Sequence, residues 1–276
     1  MRLDINLLGP LEATFDNVPV APSAAKPRQL LAILAIGAGH VVPVSTLVNE
    51  IWGHEPPRSS VATLHTYIGK LRKRLNSAAG DGTECDGKKF LTTEANGYRL
   101  DGDLVRLDVH KYEELASAGR RAAENGDYAT ASHSLTAALS LWRGPALCDI
   151  TTGPQLTVES VRLTETRLSD LDARLEADLC LGRDRGLLGE LAGLCAQYPL
   201  SESMCGKYML ALYRSGQHWR ALEAFHRLRA GLVEELGVDP SASMRHLHEA
   251  VLRGDPELDG RRPYAADRTI AHAIAG

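Results

Sequence analysis

Between Arg58 and Leu75 stand five cations, Arg58, Lys70, Arg72, Lys73 and Arg74, with no carboxylate among them. Guanidinium and ammonium groups at that density hold phosphates, while hydroxyls and cations on one helix face can reach base edges. On a 3.6-residue period the stretch RSSVATLHTYIGKLRKRL puts Val61, Leu64, Ile68, Leu71 and Leu75 in one stripe. Ala62, Thr63, Thr66, Lys70 and Lys73 lie opposite. One face is core; the other shows small polar side chains first and cations later, the order that suits a DNA major groove. A merely solvated amphipathic helix has the same pattern, so the neighbouring elements must decide. Ser59 or Ser60 is placed to cap the helix, and Pro56-Pro57 keeps it from starting earlier.

Other chemistry finds no foothold. The 276 residues contain no G-x-x-x-x-G-K-[ST], G-x-S-x-G, H-E-x-x-H or G-x-G-x-x-G motif, so no catalytic residue and no cofactor is expected. Cys85, Cys148, Cys180, Cys195 and Cys205 form no Cys-x-x-Cys pair, and His246 and His248, two apart on a helix, point to different sides; no metal is expected. His65 lies at the edge of the basic helix, within reach of a phosphate. The net charge is −4, but residues to Leu107 carry 12 Lys and Arg against 11 Asp and Glu, and the remainder 19 against 24. Nucleic-acid contact must therefore come from a local patch. With no run of about 18 apolar residues and acidic residues breaking the amino-terminal one, a cytoplasmic protein without membrane contact is expected.

The elements around the basic stretch read as its support. Leu3, Ile5 and Leu7 alternate, Gly9-Pro10 turns, Leu11 to Phe15 continues, and Asp16-Asn17 leads into Val18 to Val20: a small amino-terminal sheet. Lys26 to Ile36 switches to helical spacing, with Leu30, Leu31, Leu34 and Ala35 on one side. Val44 to Trp52 is a second helix, built on Leu47, Val48, Ile51 and Trp52 and closed by Gly53. After the basic helix comes the glycine-rich NSAAGDGTECDG, then strands over Lys88 to Thr92 and Tyr98 to Leu100 joined at Asn96-Gly97. Three helices and a hairpin are the winged-helix order.

The motifs AAKPRQLLAILAI, VSTLVNEIWGHEPP, LHTYIGKLRKRL and NGYRL resemble the DNA-binding domain of OmpR-type regulators. With LLGPLEA at the start and the WG-x-x-PP turn, residues 1–255 look like the Streptomyces antibiotic regulatory protein family, activators of secondary-metabolite gene clusters. The resemblance implies that Ser60–Leu75 enters the major groove, Thr66 and Lys70 facing bases and Arg72, Arg74 and Arg58 facing phosphates. Thr63 and Lys73 share that face, and Arg99, after Gly97-Tyr98, anchors the wing near the minor groove. Two positions depart from the family: Gly69 where many relatives have Arg, and Glu94-Ala95 where a basic or proline-containing approach is common.

From Asp108 the strand signals stop. Asp108 is expected to cap a helix through Glu124; Asn125-Gly126-Asp127-Tyr128 turns into another, with Ala131, Leu135, Ala138, Leu139 and Trp142 at helical spacing. Gly182 and Gly216 stand 34 residues apart between apolar helices, a tetratricopeptide-like period, with a long helix over Leu156 to Leu181 before them. The stretch MLALYRSGQHWRALEAFHRLRAGLVEELGVDPSASMRHLHEAVLRGDPEL resembles the activation domain of the same family. The expected fold is mostly α: an N-terminal winged helix-turn-helix domain with a small β-sheet and wing hairpin (1–107), an all-α tetratricopeptide-like activation domain (108–260) and a flexible tail (261–276). The resemblance implies an activator that binds direct repeats in promoter DNA as a homodimer, about one helical turn apart, and recruits RNA polymerase holoenzyme. A helical-repeat adaptor using its winged helix for protein contacts is the alternative. A response regulator proper would need an aspartate-bearing β/α unit that the sequence does not show.

Overall fold

The computed structural model describes residues 2–78 and 87–260. They form two compact units that do not follow chain order: the described residues up to 116 with 137–168, and 117–136 with 169–260. In the first unit β1 (Leu3–Asn6), β2 (Glu12–Phe15) and β3 (Val18–Pro19) make an antiparallel run, α1 (Ala25–Ile36), β4 (Val41–Pro43), α2 (Val44–Trp52) and α3 (Ser60–Ala78) follow, and α4 (Gly87–Phe90), β5 (Leu91–Glu94), β6 (Gly97–Leu100) and β7 (Val105–Leu107) close the winged helix. The alternation at the amino end buries Leu3, Ile5, Ala13 and Phe15, while Asp16 and Asn17 turn the β2–β3 hairpin at positive φ, which their short polar side chains tolerate. β1 pairs in parallel with β7, giving the sheet order β3-β2-β1-β7. A second sheet, β4-β6-β5, carries the wing.

Helices α1 and α2 seat α3. In α1, Leu30, Leu31, Ala32, Ile33, Leu34 and Ala35 are all buried, a wider apolar face than one stripe, because both sheet and helices cover it. The buried row of α3 is Ser60, Leu64, Ile68, Leu71 and Leu75. Val61, expected in that row, is 44% exposed, and Ser60, one position before it, takes the buried place. The expected strand over Lys88 to Thr92 is instead the short helix α4 followed by β5; β4 and β7, three residues each, gave no sequence signal. The NSAAGDGTECDG connection lies largely outside the described residues, as do Cys85 and the expected tail.

The helices are α5 (Asp108–Glu124), α6 (Tyr128–Leu139), α7 (Pro154–Cys180), α8 (Asp184–Gln197), α9 (Glu202–Arg214), α10 (His218–Leu236) and α11 (Ala242–Arg253). Asp108 was expected to cap α5. Its carboxylate accepts from the Val109 amide at the start of α5 and also from the amides of Leu7 and Leu8 at 2.8–2.9 Å, and burial raises its pKa against the pull of those donors and Arg143. Trp142 lies past the end of α6, not on it, and meets Tyr112 edge-on at 5.5 Å.

In the second unit three helix ends are built alike. Gly126, Gly182 and Gly216 have φ of +75°, +72° and +79°. In each case the next residue's amide reaches back five residues, Asp127 to Ala122, Arg183 to Asp178 and Gln217 to Leu212. This is the left-handed helix stop that glycine takes without Cβ strain, and Gly182 and Gly216 repeat it at the 34-residue spacing read in the sequence. Leu179, Leu187, Leu191, Met209, Leu212, Phe225 and Leu247 fill the core between the paired helices. Several buried polar groups are paired: Asp178 accepts from Ser132 at 2.7 Å and meets Arg174 and Arg183, and Lys207 reaches Asp172 at 3.0 Å.

Candidate nucleic-acid interface

The outer face of α3 carries Ala62, Thr66, Gly69, Lys70 and Lys73, all exposed, with Thr63 half-buried at its margin. Thr63 donates its hydroxyl to the Ser59 carbonyl at 2.9 Å and Thr66 to Ala62 at 3.1 Å. Each hydroxyl oxygen is thereby fixed with lone pairs left to accept from a base amino group. A Cβ added at Gly69 meets nothing within 4 Å, so packing inside the chain does not demand glycine there. Lys70, Lys73, Arg74 and Ser77 line an open depression whose far wall is Val18 and Pro19. Arg74 donates to the Ala21 carbonyl at 3.3 Å from an otherwise exposed side chain. Arg58 is exposed just ahead of the helix.

Arg72 has a different occupation from the phosphate contact expected of it. Its Nε and Nη2 both donate to the Leu91 carbonyl, at 2.8 and 2.6 Å, and Nη2 also reaches Thr93 Oγ1 at 2.8 Å. Its guanidinium carbon stands 6.0 Å from the Tyr98 ring centroid. A planar fork engaged in this way ties α3 to the wing. Burial pushes the Tyr98 hydroxyl pKa up, with the Arg72 charge opposing it. His65 lies edge-on to the same ring at 6.3 Å.

Arg99 is on the wing as expected, but its Nε pairs with Glu94 Oε1 at 3.2 Å across the hairpin. The acidic departure noted in the sequence thus meets the very cation expected to anchor the wing. Behind α3, Tyr67 stacks on Trp52 of α2, centroids 6.3 Å apart and planes 9° from parallel, and Lys26 Nζ caps the stack 5.1 Å from the Trp52 ring. The sequence reading did not single out Glu50, which occupies a core-facing position between Leu47 and Ile51 and is 2% exposed. The legible signal was a carboxylate at helical spacing within an apolar row. Among the described residues no cluster of three His, Cys, Asp or Glu could hold a metal, and no helix is long and apolar enough to cross a membrane.

A helix-turn-helix with a cationic outer helix, steadied by a wing and joined to paired helices, defines a DNA-binding transcriptional regulator of the OmpR-type winged-helix class. Residues 21–100 match the family described as "Transcriptional regulatory protein, C terminal", and residues 107–252 match "Bacterial transcriptional activator domain". The chain is 47% identical over 261 residues to the regulatory protein DnrI of Streptomyces peucetius, covering 95% of this chain and 96% of that one. It is 36% identical to the regulatory protein AfsR of Streptomyces coelicolor, spanning 93% of this chain and 25% of that one. A structure of Mycobacterium tuberculosis EmbR in complex with a low-affinity phosphopeptide superposes with a TM-score of 0.85 at 32% identity, over 99% of this chain and 70% of that one. The chain belongs to the Streptomyces antibiotic regulatory protein family.

Proposed function

We propose that this regulator activates a secondary-metabolite gene cluster, of the antibiotic kind, by binding direct repeats in promoter DNA as a homodimer and recruiting RNA polymerase holoenzyme. It acts in the cytoplasm, at the nucleoid, and performs no catalytic step. The observation that carries the reading is the exposed face of α3, where Thr66 and Lys70 stand at its middle and Lys73 and Arg74 beyond them, with no carboxylate on the helix. In this reading Thr63, Thr66 and Lys70 meet base edges, and Arg58, Lys73 and Arg74 hold phosphates. Arg99 reaches the backbone beside the minor groove once DNA competes with Glu94. Arg72 is reassigned to holding the wing. Residues 1–107 supply the DNA-binding segment and 108–260 the activating one.

Selection of bound sites from a random duplex pool, with the whole chain at physiological salt, tests this. Recovery of two half-sites in the same orientation, spaced by about 10–11 base pairs, supports a dimer on direct repeats. Recovery of no common sequence counts against DNA reading and in favour of an adaptor.

A further inference from the structure

Helix α2 carries Glu50 in the row that Leu47 and Ile51 bury, where an ionised carboxylate needs donors to be tolerated. It has them from far along the chain. Oε1 accepts from the Gly153 amide at 2.7 Å and the Leu156 amide at 3.4 Å, and Oε2 from the Gln155 amide at 2.8 Å. These are the amides at the amino end of α7, whose first residue, Pro154, has none to offer. Gly153 has no side chain to cap α7, so Glu50 does it from another helix, with the charge sign that a helix amino end favours.

The approach is tight. A Cβ on Gly153 would lie 2.2 Å from the Glu50 carbonyl oxygen and 2.8 Å from its carboxyl carbon. From the other side, Gln29 of α1 donates Nε2 to that same carbonyl at 2.6 Å. A parallel tie lies nearby: Asp149 accepts from the Leu11 amide at 2.8 Å and pairs with Arg28. Two residues beyond Glu50 is Trp52, stacked on Tyr67, which is next to Thr66 and three before Lys70 on α3. The Glu50 carboxylate therefore joins α2 to α7 and its main-chain carbonyl joins α2 to α1, two residues before the Trp52–Tyr67 pair that backs the outer face of α3.

We propose that Glu50 is a positioning residue for DNA recognition: it fixes α2 on the amino end of α7 and, through Trp52 and Tyr67, sets where the outer face of α3 lies. Buried as it is, it touches no DNA itself. The proposal rests on the reading of α3 as the DNA-reading helix.

The test uses the full chain and its Glu50→Gln, Glu50→Ala and Gly153→Ala variants. Each is titrated by fluorescence anisotropy against a duplex carrying the selected site and a scrambled duplex of the same composition, over a range of salt. Loss of the cap corresponds to about a tenfold weakening on the selected site. Binding to the scrambled duplex and the salt slope stay unchanged, because every phosphate-facing cation is retained. Hydrogen exchange of the Ser60–Ala78 amides is expected to quicken in Glu50→Gln. An equal loss on both duplexes would mean fewer folded molecules, not misplacement, and would overturn the proposal, as would unchanged discrimination with unchanged exchange. If Glu50→Ala does not fold, Glu50→Gln and Gly153→Ala decide. If the unaltered chain cannot tell the two duplexes apart, the DNA reading fails, and the exchange of α3 then decides the latch by itself.

Discussion

Arg72 separates a wing clamp from a phosphate contact, and its replacement by Ala distinguishes them quantitatively. Two acceptors lose a charged donor: the Leu91 carbonyl, held at 2.8 and 2.6 Å, and Thr93 Oγ1 at 2.8 Å. Hydrogen bonds to charged groups contribute roughly 1.5–3 kcal/mol each when buried, and partial exposure of Arg72 argues for the lower end. A net loss of about 3 kcal/mol, a little over a hundred-fold change in the closed wing population, follows. Affinity for the selected site then falls through loss of the ordered wing. The slope of log affinity against log salt stays as in the unaltered chain, since no phosphate neutralisation is removed. Lys73→Ala, in contrast, lowers that slope by about 0.9, the value for one phosphate contact. Titrations at four salt concentrations, with wing amide exchange measured in parallel, give both quantities. A slope reduced by about 0.9 in Arg72→Ala with wing exchange unaltered would refute the clamp and return Arg72 to the phosphates.

Replacing Lys70 with Ala is expected to relax preference at its base position, costing about 1–3 kcal/mol on the best site; an unchanged profile in repeated site selection would sink its base-reading role. Glu94→Gln releases Arg99 from its partner and should tighten binding to all duplexes while steepening the salt dependence, as anisotropy would record. Burial, with His226 nearby, holds the His248 pKa below its ordinary value, opposed by Glu249. The unfolded chain thus takes up that proton first, and stability falls as pH drops below about 6.5. His248→Phe should remove that part of the fall in urea unfolding followed by circular dichroism. Burial also pushes the Cys205 thiol up to about 12 and Cys195 to about 11, whereas Cys148 is exposed. Iodoacetamide at pH 7.5 should label Cys148 well before either, as peptide mass mapping would show.

Helices α2 and α3 were legible because local pattern and tertiary demand agree there. Val44–Trp52 is bounded by Pro43 and Gly53, and α3 keeps its apolar row against α1 and α2 from Leu64 to Leu75. The glycine stops of the helical unit showed as spacing before they showed as geometry. What stayed hidden depends on distant partners. β7 is three residues long and exists as a strand by pairing with β1. Arg72 reads as one more cation until the wing folds over it, and nothing in Glu94 alone says that Arg99 lies opposite. Asp108 has the residue type and place of a cap, but nothing in it alone says that the amides of Leu7 and Leu8 also claim its charge. Glu50 is an intermediate case: its position announced burial, while its partners, more than a hundred residues away, could not be named.

The first unit closes contacts across 101 to 138 residues of chain, from Asp108 with Leu7 to Asp149 with Leu11. Such loops are slow to close, and a chain emerging at about 5–20 residues per second has made its basic helix many seconds before the start of α7 exists. During synthesis the cations of α3 are therefore present, with the α1 and α2 that seat them, before the amino end of α7 that Glu50 caps. A frameshift or stop between residues 108 and 153 would leave a product with the basic helix and without the Glu50 latch. If Glu50 positions α3 as proposed, such a product keeps its charge for DNA at large and loses part of its discrimination between promoters.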